Sequence, residues 1–226
     1  MKFGPLSAID EMELEPGLEQ LHASVFSLSR VVRQQVENAV QALLSGSSDS
    51  CDAVIAADDE TDEEEKAISQ LGFELLTRFR PGGRELRFII GSMNVARTLE
   101  RIADHAVQVA KRSRKILRQG QIVEVNLIEP MYALAMEELR GAMACFVDGN
   151  VEVAEELANQ DRNLDKIHKK LAKSLSRMVE ERHDGVVGLL HLMFVGRSLE
   201  RIGDLSVKVA EEVVFIESAE DVRHQH

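Results

Sequence analysis

The chain has 226 residues, enough for each half to bury its own core. Hydrophobic residues make up 44% of it, yet aromatics only 4%, with no tryptophan, a composition of small and branched aliphatics that suits close helix packing. A formal net charge of −12 argues against nonspecific binding to nucleic acid or to an anionic membrane surface and is compatible with cation binding, although acidity also simply keeps a protein soluble.

Taken in order, the chain reads as an N-terminal extension (1–17) followed by six long helices. The first is predicted over about 18–44, after a break at Pro16-Gly17, and Gly46-Ser47-Ser48 punctuates it. The second is predicted over about 49–77. A turn at Arg80-Pro81-Gly82-Gly83 leads to the third, about 85–118, which stops at Gly120. The remaining three are predicted over about 129–147, with Pro130 in the first turn, over 151–181, with Asn150 as N-cap, and over 187–216. No strand-like alternation competes with the 3.6-residue period. The expected fold is all-α: two tandem, similar three-helix bundles over 18–120 and 121–217, with a tail at 218–226. There is no basic, apolar secretory leader, and the longest nearly apolar stretch, 186–196, is too short to span a bilayer.

The reason for two bundles is an internal repeat. Residues 95–110 (VARTLERIADHAVQVA) match 195–210 (VGRSLERIGDLSVKVA) at ten of sixteen positions, with Glu100 on Glu200 and Asp104 on Asp204. Upstream of the turn the register changes by three residues, so Asp58 falls on Asp161, Asp62 on Asp165 and Gly46 on Gly149. The length change lies at 80–83 against His183-Asp184-Gly185, where a helical unit tolerates one. Cys51 and Cys145 align with alanines of the opposite copies, fit no metal-ligand spacing and read as free, buried thiols.

The duplicated acids are unusual in their placement. With Ala96 at the origin of a helical wheel, Ala103, Val107 and Ile89 lie within ~20°, Glu100 at ~40° and Asp104 at ~80°, whereas Arg97, Arg101 and Gln108 take the other side. Asp58 and Asp62 likewise sit among Cys51, Val54, Ile55, Phe73 and Leu76, and Asp161 and Asp165 among Ala154, Leu157 and Leu175. Carboxylates grouped in a partly desolvated place repel. They are protonated, paired with cationic side chains such as Arg97, Arg101, Arg197 and Arg201, or bridged by a metal, and oxygen donors suit Mg, Ca, Mn or a carboxylate-bridged iron cluster. Gly196 and Gly203 beside the acids indicate either a close backbone approach or room for an ion.

The repeated R-x-L-E-R-I-x-D at 97–104 and 197–204, with the ending at 216–224, resembles the signature of the PhoU family, from about residue 18 to 224. The first 17 residues do not resemble the family's start, and Ala103 stands where the family has glycine. The resemblance implies two side-by-side three-helix bundles in a cytoplasmic, non-catalytic homodimer that regulates phosphate uptake and the phosphate-starvation response. It implies a link between the ATPase subunit of a phosphate ABC transporter and a sensor histidine kinase, with the membrane met only through these partners and signalling repressed when phosphate is plentiful. It also implies a divalent or multinuclear metal (Fe, Mn, Mg or Zn) held by Asp58, Asp62, Glu100, Asp104, Asp161, Asp165, Glu200 and Asp204.

Two other classes fit parts of the chain. A carboxylate-bridged di-metal enzyme needs inward-pointing Glu-x-x-His pairs, and Glu19-x-x-His22 and Glu180-x-x-His183 have that spacing without being repeat equivalents. A structural helical adaptor would use the acids only as ion-pair partners. No nucleophile constellation or phosphate-cradling glycine loop is present in the sequence.

Overall fold

The computed structural model describes residues 8–120, 123–160, 162–181 and 184–220, which are helical throughout apart from short turns, with no strand among them. The helices are α1 (Ala8–Ser45), α2 (Ser48–Ala56), α3 (Asp58–Phe79), α4 (Gly83–Arg118), α5 (Glu129–Asp148), α6 (Val151–Gln160), α7 (Arg162–Glu181) and α8 (Val186–Ser218), with one 3-10 segment, Val123–Ile128, before α5. No helix among the described residues is long and apolar enough to cross a membrane. In the first bundle α1 and the α2–α3 pair pack on α4; in the second α5, α6 and α7 pack on α8. The broadest contact in the molecule is α4 against α8, which joins the bundles.

The caps repeat as faithfully as the acids. Gly46 ends α1 at φ 71° and Gly149 ends α5 at φ 64°, the left-handed conformation that only glycine takes cheaply. The next N–H closes the same ring in both copies, Ser47 to the Ala42 carbonyl at 3.0 Å and Asn150 to the Cys145 carbonyl at 3.2 Å. Asn150 is the N-cap the sequence predicts, its Oδ1 accepting from Val153 N–H at 3.1 Å.

Two expectations need correction. Pro16-Gly17 does not break the first helix: α1 begins at Ala8 and runs through Pro16. Pro16 is exposed, while Leu14 is buried and Gly17 lies against Leu75 of α3, so packing holds the extra turns. The middle helix of the first repeat, in turn, is not continuous. It is interrupted at Ala57 (φ −79°, ψ 0°), whose carbonyl accepts from Gln35 Nε2 at 3.1 Å and Thr61 Oγ1 at 3.4 Å. Gln35 also donates to Thr61 Oγ1 at 2.7 Å. A buried amide thus takes over a carbonyl that an unbroken helix would satisfy internally. Cys51 and Cys145 are free, buried thiols whose pKa burial pushes up.

The α4–α8 contact is close to two-fold. Arg87 Nε donates to the Ile216 carbonyl at 3.0 Å, Asn94 Nδ2 donates to Glu212 Oε1 at 3.0 Å, and Gly91 lets Ile216 approach the α4 backbone. The repeat equivalents of Asn94 and Glu212 are Phe194 and Arg112, and these meet too, the guanidinium 4.3 Å from the ring centroid. The geometry of the duplication is kept while the chemistry of the contact has changed from hydrogen bond to cation–π.

Candidate carboxylate sites

In the first repeat the break at Ala57 starts α3 with Asp58, and Asp62 follows one turn later, both half-buried against α4. Glu100 is half-buried and Asp104 exposed on the facing helix. These four groups share one electrostatic neighbourhood. Burial pushes the Asp58 carboxyl above its ordinary range, and Asp104 and Asp62 push it further, against a smaller pull from Lys111. Burial also raises Glu100, with Asp104, Asp62 and Glu65 adding to it and Arg101 opposing. Among the described residues, neither Arg97 nor Arg101 forms an ion pair with these acids; they sit on the outer side of α4 and are exposed.

The second repeat solves the same problem differently. Glu200 is buried, 8% exposed, and accepts from Arg197 Nη1 at 2.6 Å and from His168 Nδ1 at 2.9 Å. Asp204 accepts from Arg201 Nη1 at 2.6 Å, and Lys169 Nζ lies 3.9 Å from Asp165. Asp161 lies outside the described residues. Among the described residues the arginines of the motif therefore pair with its acids in the second copy and not in the first, although both copies carry them.

His168 is the residue the sequence reading passed over. It aligns with Glu65, three residues beyond the second acid of the pair, so the two copies read Asp-x-x-x-Asp-x-x-Glu (58–65) and Asp-x-x-x-Asp-x-x-His (161–168). A second exchange lies behind it: Gln35 and Thr61, which hold the α2–α3 break, correspond to Glu138 and Leu164. Glu138 is 1% exposed, and its carboxylate and Leu164 occupy the space that a side chain on Gly203 would need. Gly196 similarly admits Leu171 of α7. Both glycines serve close approach between α7 and α8, not an open ion cavity.

As a donor set, the first copy is all oxygen and crowded, the arrangement that a hard divalent cation relieves. The second adds an imidazole, which suits transition metals. Among the described residues no three Asp, Glu, His or Cys side chains stand close enough together to hold an ion as they are. Side-chain rotation would have to gather them. The Glu19-x-x-His22 pair lies elsewhere, in a cavity at the end of the bundles lined also by Phe88, about 20 Å along α4 from Glu100 and Asp104 at 1.5 Å per residue. His183 lies outside the described residues.

Comparison with known proteins agrees with this fold. A family model for the PhoU domain matches twice, at residues 25–113 and 128–213. A Pseudomonas aeruginosa protein named phosphate-specific transport system accessory protein PhoU homolog is 30% identical over 92% of this chain and 86% of its own length. The crystal structure of PhoU from Pseudomonas aeruginosa superposes with a TM-score of 0.87 at 26% identity, covering 91% of this chain and 99% of that one. The phosphate transport system regulatory protein PhoU from Streptococcus pneumoniae shares the fold, with a TM-score of 0.86 at 24% identity, over 92% and 99% of the two chains.

Proposed function

The chain belongs to the PhoU family, and on that premise we propose that it regulates phosphate transport as an accessory protein, restraining phosphate uptake and the phosphate-starvation response when phosphate is plentiful. The observation that carries the reading is the R-x-L-E-R-I-x-D motif at 97–104 and 197–204, set in two complete domains that both match the family. Its partners are proposed to be the ATPase subunit of a phosphate ABC transporter and a sensor histidine kinase, with the protein acting from the cytoplasm, as a homodimer and without catalysis of its own. Long helical faces and an acidic surface suit docking on basic partner helices.

The carboxylates are proposed to bind metal in support of that role. Asp58, Asp62, Glu100 and Asp104 would hold a cation in the first repeat, and Asp161, Asp165, Glu200 and Asp204, with His168 beside Glu200, in the second. Bound there, an Mg, Mn, Fe or Zn ion supplies positive charge. The acids of α3 and α7 would thereby be tied to α4 and α8, and the repulsion raised by their burial relieved. The test of the function is deletion of the gene in its host. In high phosphate, alkaline phosphatase and high-affinity phosphate uptake should switch on. Continued repression of both, with no second family member to compensate, would refute the assignment.

A further inference from the structure

One end of the molecule carries a cavity of about 660 Å³ between α1, the start of α4 and the ends of α5 and α8. Three rings form its floor. His22 stacks on Phe146 at 5.3 Å, Phe88 lies 6.4 Å from Phe146, and His22 and Phe88 are 6.1 Å apart. Phe146 is buried beneath, while His22 and Phe88 stay half-exposed above it. Among the described residues five carboxylates line the walls, from Glu15, Glu19, Glu85, Asp148 and Glu217, against a single guanidinium, Arg84. Arg84 is spent on Glu217 in a two-pronged pair at 2.7 and 3.1 Å. Among the described residues Glu15, Glu19 and Asp148 have no ion-pair partner.

The cavity is not part of the duplicated architecture. Where Phe88 stands the second repeat has Gly188, and where Phe146 stands the first has Leu43. Its α1 wall, Leu14 to His22, precedes residue 25, where the PhoU domain match begins, and includes the turns of α1 that continue past Pro16. An aromatic floor inside a ring of carboxylates recognises organic cations, since the ring faces and the carboxylates attract the same charge while the rings cover an aliphatic stem.

We propose that this cavity is the docking site for a basic segment of a partner protein, an arginine or lysine side chain lying over His22 and Phe88 with its charge among Glu15, Glu19 and Glu85. The occupant follows from charge complementarity, because an acidic or purely apolar segment would leave Glu15, Glu19 and Asp148 buried without a counter-charge. This inference rests on the adaptor role proposed above and is independent of the carboxylate sites.

The experiment is fluorescence anisotropy of the full chain with a labelled decapeptide alternating arginine and leucine, at physiological salt, against a decapeptide alternating glutamate and leucine. The basic peptide should bind and the acidic one should not. Phe88→Leu, which keeps apolar bulk and removes the ring, should weaken binding about tenfold. Glu15→Gln with Glu19→Gln, both exposed and safe for folding, should weaken it similarly. Glu60→Gln with Glu64→Gln removes the same charge from an exposed face of α3 and should leave it unchanged. Equal loss in both charge pairs, or full binding by the Phe88→Leu protein, would overturn the proposal. So would loss of self-association in Phe88→Leu with peptide binding intact, which would assign the cavity to a second copy. If the host deletion leaves phosphate genes repressed while the peptide results hold, the adaptor reading fails and the cavity stands.

Discussion

His168 Nδ1–H donates to Glu200 at 2.9 Å, at the position where the first repeat carries Glu65, whose charge adds to the crowding of Glu100. Glu200 is paired by His168 and Arg197 where Glu100 is crowded by Asp104, Asp62 and Glu65, and the two copies of one motif should therefore answer metal and mutation in opposite ways.

In chelator at neutral pH, Asp58→Asn with Glu100→Gln should raise the melting temperature, because two desolvated charges, each repelled by Asp62 and Asp104, are removed. Glu200→Gln should lower it, because Arg197 and His168 lose the carboxylate they hold, at a cost of about 1–3 kcal/mol. Differential scanning calorimetry of the two variants decides the matter; shifts of the same sign would show that the copies are electrostatically alike.

Added Mn or Mg should raise the melting temperature of the unaltered chain by roughly 5–10 °C at a hundred-fold excess over the dissociation constant. Asp58→Asn with Glu100→Gln should remove more of that shift than Glu200→Gln with Asp204→Asn, since Arg197, Arg201 and His168 already supply charge in the second copy. An undiminished shift in both double variants would place the ligands elsewhere.

Exchanging the distinguishing residue should exchange the behaviour. His168→Glu should destabilise the metal-free chain and increase its response to Mg, as Glu200 then meets a carboxylate in place of the imidazole that pairs with it. Glu65→His should do the reverse. Calorimetry with and without EDTA reads both.

Acid should act through His191, whose Nδ1 is buried without a hydrogen-bond partner among the described residues. Burial lowers its pKa, and Arg112 and Lys115 of α4 lower it further. The unfolded chain then takes up this proton more readily than the folded one, so stability is lost as pH falls below the ordinary histidine value of 6.5. His191→Gln should flatten the slope of denaturation free energy against pH in that window. An unchanged slope would mean that His191 does not carry it.

Packing between the bundles should fail at Gly91. A β-carbon there would meet the Ile216 side chain at the α4–α8 contact, and Gly91→Val should cost about 1–3 kcal/mol in a urea titration. Gly82→Ala, with open space around it and an extended φ of −123°, is the matched control and should cost far less.

Much of this was legible in the chain itself. Repeat register, helical periodicity and cap chemistry are local: Gly46 and Gly149, Ser47 and Asn150 end and begin helices because of their own backbone and side-chain preferences, and the phase of Glu100 and Asp104 within an apolar stripe follows from 3.6 residues per turn. What the sequence could not decide is which partner each side chain meets across a helix contact. Arg97 and Arg197 are the same residue in the same phase, yet among the described residues only Arg197 reaches its glutamate, in the copy where His168 also closes on it. Gln35 interrupts a helix more than twenty residues away at Ala57, and Leu75 helps carry α1 through Pro16. Local propensity set most of the elements and the faces of their acids, because it acts over a few residues. Tertiary structure decided which acids are paired, where the middle helix breaks and where an aromatic cavity opens, because those depend on distances between helices that no periodicity encodes.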